Sequence, residues 1–268
     1  MKRYRIGFNK IIKAKKAFAA CRKSVKPKKS IVFVYFAHRG TGWAYYNDKF
    51  DLKVGDFVYV EGKLEGYRGQ VTRVNYSFKI KLSDYKKVIA VIDTDIKGDF
   101  YIADSHIVSF DKNAIPFSKV LTWFKAPESD EDYVSGSDDT VKFSLNDLSK
   151  MNIDCMTADR GYDYYTENMV CYLELNGTSG HAIVKGSENY EVEFDYTAGE
   201  ISNLTCSCFC SGECKHEYAA MLQLKKSLEF ITENYKDKYS SYFALISKSV
   251  FMNTVMNKKV SGKISLEA

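Results

Sequence analysis

The sequence predicts an α+β chain of two domains: a small N-terminal β-barrel, and a C-terminal sheet with helices held by a cysteine and histidine cluster. Three observations predict it. Short apolar runs broken by glycine turns fill residues 31–96, an acidic run interrupts the chain at 127–139, and four of the seven cysteines crowd between residues 206 and 214. At 268 residues the chain is long enough for two modest domains. Its 45% hydrophobic and 27% charged residues, with only 3 prolines, exclude a wholly disordered or collagen-like chain. The longest apolar run, Ile31 to Ala37, is far short of the roughly 20 residues a spanning helix needs, so no membrane partner is expected.

Residues 1–30 form a basic arm. They hold 12 of the 39 Lys and Arg and no Asp or Glu, so the rest of the chain carries 27 basic against 34 acidic side chains. Such an arm is the footprint of a polyanionic partner; the plain alternative is a solvated tail, or a helix docked on the acidic body. If helical, it places Ile11, Ala14, Phe18, Cys21 and Val25 on one face. Phe18-Ala-Ala-Cys21 has the look of a lipoprotein cleavage box, but Lys10, Lys13, Lys15 and Lys16 stand where an uncharged segment belongs. A mitochondrial presequence is basic and amphipathic too, although only Ser24 and Ser30 supply the serine such segments carry. The expected location is the cytoplasm, or the nucleus in a eukaryote.

Residues 31–126 read as the barrel with a helical extension. Short strands are expected at Ile31–Ala37, Trp43–Tyr46, Phe57–Glu61, Gln70–Val74, Phe78–Leu82 and Val88–Ile92, with turns at His38–Gly42 and around Gly62, Gly66 and Gly69. Closure removes sheet edges that would otherwise aggregate. With Val54-Gly-Asp56 opening one strand and a glycine return to the next, the stretch loosely resembles SH3-like and KOW-like barrels, over about 20 residues. Asp93-Thr-Asp95 reads as a turn, and Pro116, a good first-turn residue, opens a helix through Trp123.

Residues 127–140 form an acidic linker: six acidic residues and no basic one between Pro127 and Asp139, with no register that fits a calcium loop. In residues 141–268, strands are expected at Met169–Glu174, His181–Val184 and Tyr190–Tyr196. Helices are expected at Glu217–Tyr235 and at Ser240–Asn257.

The chemistry lies in Cys206-Ser-Cys208-Phe-Cys210-Ser-Gly-Glu-Cys214-Lys-His216. In a reducing compartment grouped thiols are metal ligands more often than disulfides. Zinc takes four tetrahedral ligands and favours thiolate and imidazole. Cys206 and Cys208, two apart at a strand end, share a face, and the loop 209–213 can fold Cys214 and His216 over it. The expected ligands are Cys206, Cys208, Cys214 and His216 around one structural Zn2+, a set of net charge −1 that Lys215 partly offsets. Cys210 is the surplus thiol, and the shifted pair Cys208/Cys210 is the alternative.

Cys-x-Cys followed by Cys-x-His, with the helix start Cys214-Lys-His216 and Ala219-Ala-Met-Leu-Gln-Leu behind it, resembles the SWIM zinc finger family. The similarity extends upstream through Arg160-Gly-Tyr-Asp-Tyr-Tyr165, Val170, Lys185-Gly-Ser-Glu-Asn-Tyr-Glu-Val192 and Leu204-Thr-Cys-Ser-Cys208, covering residues 160–225. In that family the Arg-Gly segment, the Gly-Ser-x-x-Tyr-x-Val strand and the Cys-Ser-Cys strand build a small sheet ahead of the knuckle. A proline commonly follows the Cys-x-Cys pair there; here Phe209 and Cys210 stand instead. The resemblance implies a zinc-stabilised module for DNA or protein contact, found beside Swi/Snf-type ATPases, transposases, kinases of the MEK-kinase group and recombination proteins.

Catalytic signatures are missing. No phosphate loop is present, Ala220 stands where a zincin helix after His216-Glu217 needs its second histidine, and the deaminase pattern is absent. A metal with four protein ligands has no open position for water. The scattered Cys21, Cys155, Cys171, His38, His106 and His181 read as packing rather than as a nucleophilic pair. The expected function is therefore a non-enzymatic nucleic-acid-associated (DNA) protein. Lys13, Lys15, Lys16 and Arg22 of the arm, with Arg39, Trp43, Arg68 and Arg73 of the barrel, would contact phosphates and stack on bases. The alternative is an adaptor that supplies its module to an ATPase, transposition or recombination complex through a protein partner.

Overall fold

The computed structural model describes residues 28–127, 136, 141–210, 212–256 and 264–267. The arm positions Lys13, Lys15, Lys16, Cys21 and Arg22, and nearly all of the acidic linker, lie outside the described residues. Those described form a mixed α+β, mostly β structure with two sheets and four helices.

The first sheet contains β1 (Ser30–Phe36), β2 (Thr41–Asn47), β3 (Phe57–Val60), β4 (Gly69–Asn75) and β5 (Val88–Ile92), in the order β2-β1-β4-β3-β5 and antiparallel throughout. Alternation in β1 sends Val32, Val34 and Phe36 into a core with Val58, Val60, Val71 and Val88, while Ile31, Phe33 and Tyr35 face outward. The sheet curls until its two edges touch: the Tyr46 N–H donates to the Lys86 carbonyl at 2.9 Å, and residue 46 bridges residue 87. The strand expected at Phe78–Leu82 is absent. Its Phe78-Lys-Ile-Lys-Leu alternation suits a strand, but with β1 and β3 already flanking β4 it finds no ladder. The segment runs without regular structure into a short turn of helix at Leu82–Asp84, and Phe78 packs edge-on against Tyr46.

The second sheet has nine strands: β6 (Gly98–Ala103), β7 (His106–Ser109), β8 (Lys142–Ser144), β9 (Val170–Asn176), β10 (Ser179–Lys185), β11 (Asn189–Thr197), β12 (Glu200–Cys206), β13 (Tyr242–Ser247) and β14 (Ile264–Glu267). Their order is β14-β6-β7-β13-β9-β10-β11-β12-β8, antiparallel except where β14 runs along β6. Strands β6 and β7 precede the acidic run, and the sequence reading groups them with the barrel, yet they pair into this larger sheet through β13.

The helices are α1 (Phe117–Phe124), α2 (Cys155–Thr166), α3 (Lys215–Asn234) and α4 (Lys248–Met256). Alanines 219 and 220, Leu224 and Ile231 of α3 pack with Leu173, Leu175, Val184 and Phe243 of the sheet. On the other face, Val120 and Trp123 of α1 and Phe251 of α4 pack with Tyr172, Ile183 and Ile246. Tyr59 and Ile92 of the first sheet enter this same cluster. The Tyr59 hydroxyl donates to the Thr122 carbonyl at 3.0 Å, and the Trp123 indole N–H donates to the Asp93 carbonyl at 2.7 Å, so α1 ties the two sheets together.

Two expectations are corrected here. The helix read over Ser240–Asn257 is β13 followed by α4. All six residues of β13 are buried because helices cover both faces of the sheet, and a strand without a polar face loses the period-two signature. The Arg160-Gly161 segment, which the SWIM resemblance places in a sheet, lies in α2. Asp154 starts that helix by accepting the Thr157 N–H at 3.0 Å. Pro116 stands at the cap of α1, one residue before the helix. No helix of the described residues is long and apolar enough to cross a membrane.

Candidate metal centre

The end of β12 and the start of α3 meet at the cysteine cluster. Cys206 closes β12 opposite Val192 of β11, and the next residue stays docked: the Ser207 N–H donates to the Glu191 carbonyl, and the Glu191 N–H to the Ser207 hydroxyl, both at 2.9 Å. Cys208 follows in a bend. The chain returns at Cys214, which caps α3 in the role usually filled by serine. The Glu217 carboxylate accepts the Cys214 N–H at 2.7 Å, and the Cys214 sulfur faces the backbone N–H of residue 217. His216 in the first turn is 3% exposed.

The structure thus brings Cys206, Cys208, Cys214 and His216 together, with all ligand atoms within 4.8 Å of one another. His216 Nδ1 lies 3.8 Å from Cys206 Sγ and 3.7 Å from Cys214 Sγ. A tetrahedral ion at ordinary zinc–sulfur and zinc–nitrogen bond lengths sets that edge at about 3.6 Å. Cys210 is exposed and outside the set.

Burial pushes the His216 pKa down to about 4, aided by the neighbouring Lys215 ammonium, so the imidazole is neutral at pH 7 and its Nδ1 lone pair is available. The ring is clamped between Tyr190, stacked at 4.2 Å, and Tyr164, edge-on at 5.4 Å. Its Nε2 is buried without a hydrogen-bond partner, which leaves Nδ1 as the atom aimed at the sulfurs. The thiols disfavour ionisation among themselves. Burial and the neighbouring thiols push Cys208 up to about 12, and the hydrogen bond with Cys206 followed by burial raises Cys214 further. A divalent cation reverses that balance, because it pairs with the thiolates that otherwise repel one another. The cluster can therefore hold a metal ion. The Lys215 ammonium lies over the Tyr164 ring, 4.4 Å from its centre, beside the centre whose charge it was expected to offset. Glu217 is buried, and burial raises its pKa to about 7, but it serves the helix cap rather than the ion. Ala220, one turn on, is fully buried in the core.

What the sequence reading missed is how α2 supports this centre. A Cβ on Gly161 would lie 2.9 Å from both the Lys215 carbonyl and Tyr218 Cβ, so only glycine lets α2 approach the first turn of α3 this closely. Asp154 with Thr157 three residues on was the available signal for the helix. Gly161→Ala is expected to cost roughly 1–3 kcal/mol through overpacking and to speed loss of bound metal. Denaturation midpoints and metal release to a chromogenic chelator measure the two effects, and an unchanged release rate would contradict the support ascribed to α2.

Arg39, Trp43, Arg68 and Arg73 do not share one contact cluster: the Arg68 guanidinium lies over the Phe57 ring, 4.9 Å from its centre. Phe36 contacts both His38 (6.2 Å) and Trp43 (6.0 Å), and His38 stacks on Tyr67 at 4.3 Å. Arg39 and Arg68 adjoin that stacked pair in sequence and are exposed, as are Trp43 (43%) and Tyr67 (47%). Arg73 lies instead over the outward-facing Phe33 at 5.6 Å. Comparison with family models, curated proteins and solved structures finds no match to the chain.

Proposed function

We propose that this chain is a zinc-stabilised, SWIM-type binding protein whose ligand is nucleic acid, DNA in the first instance. Three thiolates and one imidazole are a soft, closed donor set of the kind that selects zinc and leaves no position for substrate, so the metal centre holds structure rather than performing chemistry. The observation that carries the binding role is the exposed aromatic set of Trp43 and the His38–Tyr67 stack, with the exposed Arg39 and Arg68 next to His38 and Tyr67 in sequence. Open aromatic faces beside guanidinium groups suit stacked bases and their phosphates. The basic residues of 1–30 add phosphate contacts without sequence information.

Titrating a labelled oligonucleotide with the full chain tests this. If six phosphates of duplex DNA are neutralised, log affinity falls with log salt at a slope near −5, and deleting residues 1–30 flattens the slope for all sequences alike. On single strands, Trp43→Ala weakens binding by about 1–3 kcal/mol if a base stacks there. The alternative, an adaptor that docks on a protein partner, has one observation in its favour: Phe209, at the apex of the knuckle loop, is wholly exposed. No nucleic-acid binding at about 50 mM salt with the metal bound would transfer the reading to the adaptor.

A further inference from the structure

The outer face of the first sheet is open where β1, β2 and β4 meet. Strand alternation puts Ile31, Phe33 and Tyr35 on it. Phe33 pairs with Ala44 of β2 and Arg73 of β4, and Ile31 with Asn75 of β4. Tyr35 is 40% exposed, and Ala44, Arg73 and Asn75 are exposed as well. A shallow groove of about 430 Å³ runs over this face, lined in part by Phe33 and Arg73.

A Cβ on Gly42 would lie 2.8 Å from Phe33 Cε1, so the Phe33 ring leans across β2 where only glycine leaves it room. The Arg73 guanidinium lies over that ring, 5.6 Å from its centre. Phe33 and Tyr35, two residues apart on one strand, stand about 6.8 Å apart along it, a step that an extended polynucleotide makes from one base to the next. At the Ser30 end of β1, the Lys28 ammonium lies over the exposed Tyr76 ring, 5.3 Å from its centre. None of the five strands of this sheet contains Asp or Glu, and Arg73 is their one charged residue, so no strand carboxylate opposes a polyanion here.

These features select among ligands. Aromatic rings and guanidinium planes both stack bases. A duplex keeps its base faces against one another and offers only groove edges, so stacking on this face requires an unpaired strand. A peptide that adds as a further strand needs an open sheet edge, whereas β1 has β2 on one side and β4 on the other.

We propose that this face seats a single strand of DNA, with one base on Tyr35 and the next on the Arg73–Phe33 layer. The proposal rests on the nucleic-acid reading above, and adds to it the form of nucleic acid and the surface that takes it. Arg73 supplies the cation for the phosphate between the two bases, and Lys28 supplies one at the Ser30 end of β1.

The test uses the full chain with its metal, and oligothymidylate as the probe because it forms no hairpin. With iodouracil in place of one thymine, near-ultraviolet light should join the probe to Phe33 or Tyr35, and peptide mass spectrometry locates the bond. Tyr35→Ala should weaken oligothymidylate binding roughly 5- to 150-fold, the effect of losing one stacked base. Tyr35→Phe, which keeps the ring, should bind as the parent does, and duplex DNA should bind all three proteins alike. Tyr35 points outward, so its replacement leaves the core beneath β1 in place, and circular dichroism checks the fold. Unchanged oligothymidylate affinity in Tyr35→Ala, a loss shared equally by the duplex, or crosslinks confined to other residues overturns the inference and leaves duplex binding standing. No binding of either form overturns it together with the nucleic-acid reading, and leaves the face to a protein partner.

Discussion

Stripping the metal with a strong chelator is expected to remove most of the stability of the α3 end of the large sheet. Zinc binding in sites of this donor type is worth on the order of 10 kcal/mol at neutral pH, comparable to the whole stability of an ordinary domain, about 5–15 kcal/mol. Without the cation, Cys214, His216 and Glu217 remain as buried polar groups at the first turn of α3. That helix supplies Ala219, Ala220, Leu224 and Ile231 to the larger core, so its detachment exposes the sheet beneath. Hydrogen exchange should show protection lost first in β12 and the start of α3. The first sheet, whose core is a separate cluster, should keep its protection longer. Cys214→Ala should reproduce the effect, and Cys210→Ala should leave one zinc per chain in place. Purified protein with no metal and an unchanged melting midpoint after chelation would refute the assignment. Retention of zinc in Cys206→Ala but not in Cys210→Ala would move the ligands to the shifted register.

Truncating the core at β13 is the second large effect. Phe243 is fully buried in the cluster beneath α3, and its neighbour Tyr242, 1% exposed, enters the cluster on the opposite face. Phe243→Ala is expected to cost roughly 3–5 kcal/mol, through lost burial and the cavity left behind. Tyr242→Ala should also be strongly destabilising, because a central strand buries successive residues on both sides. An amphipathic surface helix over the same residues would bury one of the two and expose the other. Equilibrium denaturation of both variants separates the cases, with Met252→Ala, at 46% exposure on α4, as a control expected within about 0.5 kcal/mol of the parent. A cost under about 1 kcal/mol at either position 242 or 243 would contradict the central strand.

Features written in short stretches of chain were legible in the sequence. The candidate ligands fall within eleven residues, and their types and spacing alone selected the four side chains that the structure brings together. Strands β1, β2, β3, β4, β5, β9, β10 and β11 and helices α1 and α3 were readable within a few residues, because local alternation, glycine turns and helical spacing record which face is buried. Tertiary structure alone decided the rest. That β6 and β7 join β13 across more than a hundred residues depends on ladder partners that no local pattern names. That residues 242–247 form a strand follows from two covered sheet faces, since burial on both sides erases the polar half of the alternation by which strands are recognised. The need for glycine at 161 exists only because α3 lies 2.9 Å from where a Cβ would stand. A sequence records the solvent exposure of each residue relative to its neighbours, whereas chemistry between distant residues depends on which surfaces the fold presses together.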